Sequence, residues 1–327
     1  MNRSGLAGLV VASVGWGSLS ITTSIALRGF GPWSLLTVET GCAALVLRVA
    51  CRMISVTPAR PTARLAVIVA LEPVSAFVLF NLALRTTTSG HAGLLLGSEA
   101  IIAVGLGMMV GRERPTMMSL AGVGLGALGV ALLTWQRGPG GAPIAIGDVL
   151  VLMDAAIAAT YLLLVSKWLQ DTVPLAVASA QFTYGFFAVA PMAVLAWAAG
   201  WDAIPSAPGL GPTAAAIATG LFGIAAPFAV YTWALRRVSI TAAASAIPLT
   251  PLSALVMSVA VLGETSTTRT FVGAALILAG LLGQRGPTNA PRHADPRTHK
   301  PYRTPPGHER LAPPACRALG TARDEMA

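Results

Sequence analysis

Ten runs of about twenty apolar residues, parted by short breaks rich in Pro and Gly, fill this chain from its start to near residue 285. They run approximately over 5–27, 32–52, 63–84, 88–110, 116–135, 147–169, 174–199, 212–235, 239–262 and 268–285. As a helix, each is about 30 Å long, the thickness of bilayer hydrocarbon. Only 11% of the residues are charged, against about a quarter in a soluble domain. Inside hydrocarbon the backbone must satisfy its own hydrogen bonds, so unalternated apolar runs of this length are read as helices. The expected fold is an all-α polytopic membrane protein. The breaks at Gly31-Pro32, Pro58 to Pro61, Gly138 to Pro143 and Pro205 to Pro212 are short, so sequential helices run antiparallel.

The opening MNRSGLAGLVVASVGWG has the outline of a signal peptide. No clear A-x-A cleavage site follows and similar spans do, so it reads better as a first membrane helix. Basic residues set the orientation. Numbering the helix ends from inside, one set holds Arg3, Arg48, Arg52, Arg60, Arg64, Arg112, Arg114, Lys167, Arg236 and Arg237. The other holds Arg28, Arg85, Arg137 and Arg269. That bias predicts both termini in the cytoplasm. Arg far outnumbers Lys, and Ala and Gly abound, a composition of GC-rich bacterial genomes, which points to a bacterial cytoplasmic membrane. Cys42 and Cys51 lie nine residues apart in one span, on opposite helical faces, and suggest neither a disulfide nor a zinc site. Residues 287–327 are rich in Pro, Arg and His and poor in aliphatics, which predicts a disordered, basic, cytoplasmic tail.

The chain repeats itself. ALRTTTSGHAGLLLGSEAIIAVGLGMMVGRE from Ala83 aligns without a gap on ALRRVSITAAASAIPLTPLSALVMSVAVLGE from Ala234, an offset of 234 − 83 = 151. Arg85 meets Arg236, Glu113 meets Glu264, Gly122 meets Gly273 and Gly129 meets Gly280. The expected division is 1–138 for a first five-helix repeat and 139–286 for a second. Five is odd, so the second copy must enter the membrane from the opposite side. Inverted repeats of this kind build secondary transporters, with substrate sites near the midplane where the halves meet.

Ten spans, an apolar helix ending in GRERPT or LGETST, and a following Gly-containing helix such as FVGAALILAGLLG resemble the EamA-type permeases of the drug/metabolite transporter superfamily. The resemblance covers residues 5–285. It implies ten helices around a central cavity, a peripheral second helix, and movement of small metabolites, often outward. Where the fourth helix of that family often carries Glu-Pro, this chain has Glu99-Ala100, and Glu72-Pro73 lies in the third span.

Four carboxylates lie inside spans: Glu39, Glu72, Glu99 and Asp154. A charge at bilayer depth costs about 2.5–3.5 kcal/mol on insertion scales. No Lys or Arg lies at their depth, and Arg48 and Lys167 sit near helix ends where they can snorkel. Each acid is therefore either protonated or faces a wet cavity. It is a carrier of protons or cations in one reading and a packing residue in the other. Glu99 has Ala92 seven residues before it and Ala103 four after, and Thr250 takes its place in the second repeat. Ser13, Trp16, Ser20 and Thr23 form a polar stripe on the first span, fit for a cavity lining or for hydrogen bonds between helices. Asp154, Ala158 and Tyr161 share a face of the sixth span. Tyr231 belongs either to the cavity or to an interfacial aromatic belt. Glu113 and Glu264 each end a helix just before another begins and are expected to cap helix N–H groups.

Gly124-x-Gly126-x-x-Gly129 matches a dinucleotide fingerprint, but it sits inside a membrane span with no preceding strand. Gly122 and Gly126 read instead as G-x-x-x-G helix packing. There is no Walker A sequence, no H-E-x-x-H and no G-x-S-x-G. The reading is a secondary active transporter, an exporter of a small metabolite such as an amino acid, open to proton coupling and without cofactor. The alternative is a polytopic enzyme acting on lipid-linked substrates, which short loops and deep acids disfavour. Expected partners are a small-molecule substrate and membrane lipid; a homodimer is compatible, and nucleic acid is not expected.

Overall fold

In the computed structural model the described residues are 3–110, 116–135, 146–169, 171–235, 237–238, 246 and 248–283. Glu113, most of 239–247 and the tail lie outside them. Ten apolar helices follow one another: α1 (Arg3–Ala26), α2 (Pro32–Met53), α3 (Ala63–Ala83), α4 (Ser89–Met109), α5 (Met117–Thr134), α6 (Ile146–Trp168), α7 (Pro174–Ala198), α8 (Leu210–Ala234), α9 (Leu249–Leu262) and α10 (Thr268–Gly283). The first eight are each at least 18 residues long and apolar enough to cross a membrane. Large apolar side chains such as Leu45, Leu128, Phe187, Phe222 and Val261 point outward, while Ser, Thr, Glu and Asp side chains are among the buried ones. Lipid as the outer solvent accounts for that inversion.

The helix neighbours obey a two-fold rule. α1 packs against α8 and α9, and α6 packs against α3 and α4. α2 pairs with α7, α5 with α10, and α4 with α9. Exchanging the halves, helix one for six and so on, returns the same neighbours. The glycines of α5 and α10 show it at atomic scale. A Cβ on Gly129 would stand 2.7 Å from the Gly273 carbonyl oxygen, and one on Gly280 would stand 2.6 Å from that of Gly122. Gly122 is the repeat partner of Gly273, and Gly129 of Gly280. The contact made in one direction is thus repeated in the other, as a two-fold interface requires. The fold is two inverted five-helix repeats.

Neither α3 nor α4 is regular throughout. α3 carries a wide π-type stretch at Ala70–Ser75, and α8 one at Thr219–Ala225, overlapping positions under the repeat. At Glu72 the backbone leaves helical geometry, with φ −141° and ψ 122°. α4 is two pieces, Ser89–Leu96 and Ser98–Met109, joined at Gly97. Gly97 packs on Pro251, and its repeat equivalent Pro248 immediately precedes α9. Gly97 itself stays in the right-handed helical region, so the span continues through one tightened turn, from Gly97 N–H to the Leu94 carbonyl at 3.0 Å, that shifts the face expected to hold Ala92 with Glu99 and Ala103. Ala92 is fully buried, and Glu99 lies in the first turn beyond Gly97.

Glu264 caps a helix, but not the one that follows it. Its carboxylate accepts from the backbone N–H groups of Ser89 and Gly90, each at 2.8 Å, at the N-terminus of α4. Asp202 does the same for α2, accepting from the N–H groups of Trp33 (2.9 Å) and Ser34 (3.0 Å). Both acids meet free N–H groups and the positive end of a helix dipole. Glu264→Ala is expected to lower stability by about 1 kcal/mol, seen as a reduced melting temperature of the detergent-solubilised protein. An unchanged melting temperature would remove the capping role.

Candidate functional site at the interface of the halves

Glu72, Glu99 and Asp154 stand on three different helices, α3, α4 and α6, yet are close enough to feel one another electrostatically. Asp154 and Glu72 are buried, at 4% and 9% exposure, and Glu99 is half-buried. None of the three side chains makes a hydrogen bond among the described residues. Glu39 is the counter-example. Its two oxygens accept from Thr23 Oγ1 (3.3 Å) and Asn81 Nδ2 (3.1 Å), so it ties α1, α2 and α3 together as a structural node. Among the described residues no three of His, Cys, Asp and Glu converge tightly enough to hold a metal ion.

Gln181 of α7, fully buried, supports this wall. Its Nε2 donates to the Glu72 carbonyl oxygen at 2.9 Å, filling an acceptor where the backbone departs from the helix. Its Oε1 accepts from the Tyr161 hydroxyl, also at 2.9 Å. Tyr161 is therefore an anchor of the Glu72 segment. Sequence reading missed Gln181, although a lone amide in the apolar run ASAQFTYGFF is a usable signal. It also passed over Asp148, a buried acid near the start of α6 that accepts from Thr87.

A second interior cluster is aromatic. Trp16 of α1 packs against Phe228 and Tyr231 of α8, with ring centroids 5.7 and 5.2 Å away. Tyr231 thus joins the interior. Phe182 of α7 stands between Phe77 (6.1 Å) and Phe228 (5.6 Å), which are equivalent residues of the two repeats. The stripe on α1 divides. Ser13 donates to the Ala246 carbonyl at 3.0 Å, and Thr23 is spent on Glu39, both bonds between helices. Ser20, 1% exposed, has no partner for its Oγ among the described residues, and neither does the buried Ser98 beside Glu99. Thr250, in the Glu99 place of the second repeat, is half-buried near the start of α9. Gly17 lies against its carbonyl oxygen, 2.7 Å from where a Cβ would be. A separate cleft of about 550 Å³ opens at the Asp202 end of the bundle, between Arg28, Arg85 and Trp201.

The profile of the EamA-like transporter family matches residues 3–135 and again 145–284. This chain belongs to that family. It is a multi-pass membrane protein of the transporter class, with one EamA match over each five-helix half. A relative from Streptantibioticus cattleyicolor, described as a probable terminal-alkyne amino-acid exporter, is 27% identical over 278 residues, spanning 84% of this chain and 91% of the relative. A solved crystal structure matches with a TM-score of 0.62 at 19% identity, over 86% of this chain and 96% of that one, and so shares the fold. EamA members are typically not enzymes, which weighs against the lipid-linked enzyme alternative.

Proposed function

We propose that this EamA protein exports a small metabolite, an amino acid or a related compound, by alternating access around the space between its halves. The observation that carries the reading is the set of three carboxyl groups, without hydrogen-bond partners among the described residues, on three helices where the repeats meet. Broken helices at the centre of inverted repeats are the usual place for substrate and ion sites in secondary transporters. The similarity to a probable amino-acid exporter supports the choice of cargo. Glu99 is assigned the exchange of a proton or of a cationic substrate, with Glu72 and Asp154 sharing the site and Trp16, Ser20, Tyr161, Tyr231 and Thr250 in its walls or their support. The test is flux from proteoliposomes across a panel of amino acids, with and without an imposed pH gradient. Absence of flux for every compound would remove the reading.

The Arg bias supports both termini in the cytoplasm. Single cysteines at Gly140 and Ala290, in a cysteine-free background, are expected to react with a membrane-impermeant maleimide on whole cells only at Gly140. Labelling of Ala290 alone would turn the topology over.

A further inference from the structure

The cleft of about 550 Å³ at the Asp202 end of the bundle is lined by two cations and by no uncommitted acid. Arg28 and Arg85 both face it, together with Trp201, Ile204 and Ser206 of the α7–α8 connection. Each arginine is exposed and lies two residues beyond the end of its helix, α1 or α3. A cation there complements the helix dipole, which accounts for a basic residue at each end. It does not account for two of them converging from different helices on one space, where like charges repel. They are also two of the four basic residues at the helix ends that the Arg bias leaves poor in them. The acid in the lining, Asp202, is committed elsewhere. Its oxygens accept from the N–H groups of Trp33, Ser34 and Ala203 and from the Ser34 hydroxyl. Neither arginine has an ion pair among the described residues.

The cleft is preformed. The α7–α8 connection turns at Gly200 (φ 72°) and Gly209 (φ 77°), where glycine is favoured. Between these turns it is locked on the link from α1 to α2. Gly31 packs against the Asp202 carboxylate and Gly29 against the Pro208 carbonyl, with no room for a Cβ at either. Trp201 and Ile204 nevertheless stay exposed on this connection. A tryptophan and a bare aliphatic side chain beside arginines at helix ends match the membrane–water interface.

We propose that this cleft binds the phosphate of an anionic membrane lipid between Arg28 and Arg85, with Trp201 and Ile204 against the lipid's glycerol and upper chain. A phosphate offers acceptor oxygens for two guanidinium forks, and such charge-assisted bonds are the strong ones. The lipid ties the ends of α1 and α3 to the α7–α8 connection. None of Glu72, Glu99 and Asp154 lines the cleft, so the inference is independent of the cargo.

The test titrates the purified full chain in detergent with dioleoylphosphatidylglycerol, dioleoylphosphatidylcholine or dioleoylglycerol. Affinity for the first lipid is read by native mass spectrometry, and folding by thermal unfolding. Phosphatidylglycerol is expected to bind at least about fivefold more tightly than the other two. Each arginine beside an anionic lipid is worth about a factor of five, so Arg28→Gln/Arg85→Gln should weaken phosphatidylglycerol about twentyfold. Arg60→Gln/Arg64→Gln, at the opposite end of α3, is the control and should leave that affinity unchanged. Should the first double variant not fold, Ser206→Glu keeps both arginines, sets a carboxylate in the cleft at an exposed position and should cause a comparable loss. Parent-like affinity in Arg28→Gln/Arg85→Gln or in Ser206→Glu overturns the proposal, as does an equal loss in the control or equal binding of the three lipids. Inorganic phosphate at the same concentrations is expected not to displace the lipid; displacement would make the cleft a site for soluble phosphate and overturn the lipid assignment.

Discussion

Glu99→Gln is expected to abolish the response of transport to a pH gradient while leaving the protein folded. A gradient of about one pH unit stores about 1.4 kcal/mol per proton. One-to-one exchange could therefore support about tenfold accumulation of substrate, and without the titrating group that factor falls to one. With the acidic side opposite the cargo, protons entering against outgoing substrate drive flux in the parent; in the variant, flux should follow the substrate gradient alone. The amide keeps the shape and hydrogen-bonding capacity of the acid, so a changed fold is not the expected cause. Glu72→Gln should lose part of the response, since Glu72 lies within electrostatic reach of Glu99. Measuring flux against imposed gradients in proteoliposomes decides it. If Glu99→Gln behaves as the parent at every pH, Glu99 is a protonated packing residue and Glu72 or Asp154 takes over the assignment.

Gly280→Leu should be the most damaging change outside the site. A Cβ there would lie 2.6 Å from the Gly122 carbonyl oxygen, 2.8 Å from the Gly126 nitrogen and 3.0 Å from the Gly126 Cα. These are backbone atoms of α5 and cannot rotate away, so the two helices must separate. Overpacking costs about 1–3 kcal/mol where side chains can adjust, and the upper end or beyond is expected where only backbone is met. Gly124→Leu is the control, because a Cβ at Gly124 meets nothing within 4 Å and the residue is exposed. Thermal unfolding in detergent should show a large drop for the first variant and none for the second. Equal melting temperatures would mean that the α5–α10 contact is not close.

Ten spans and an odd-numbered repeat were legible because both follow from hydropathy and from matches at one offset. That Gly122 and Gly126 pack closely on a helix was legible from their four-residue spacing; that the helix is α10 was not. The interruption of α4 was not. Gly97 is one glycine among many in an apolar run, and nothing local distinguishes a break from close packing. The departure at Glu72 is partly legible, since Pro73 removes a donor and restricts the residue before it. What holds that departure in place is not, because Gln181 lies 109 residues away in sequence. The polar stripe on α1 shows the same limit. Spacing set Ser13, Trp16, Ser20 and Thr23 on one face, but only the neighbouring helices separate the residues that bond across an interface from Ser20, which does not.

A carrier made of two identical inverted halves would have a built-in degeneracy. Letting the halves trade conformations would return the same object turned over, so its two access states would have equal energy and equal populations. This chain keeps the backbone symmetry at α5 and α10 but puts its acids in α3, α4 and α6 and its Trp16–Phe228–Tyr231 cluster in α1 and α8. The unlike side chains lift the degeneracy and give the empty carrier a preferred side. A ligand that binds the two states unequally can then reverse that preference. Divergence between the duplicated halves thus turns a symmetric hinge into a device with a resting position.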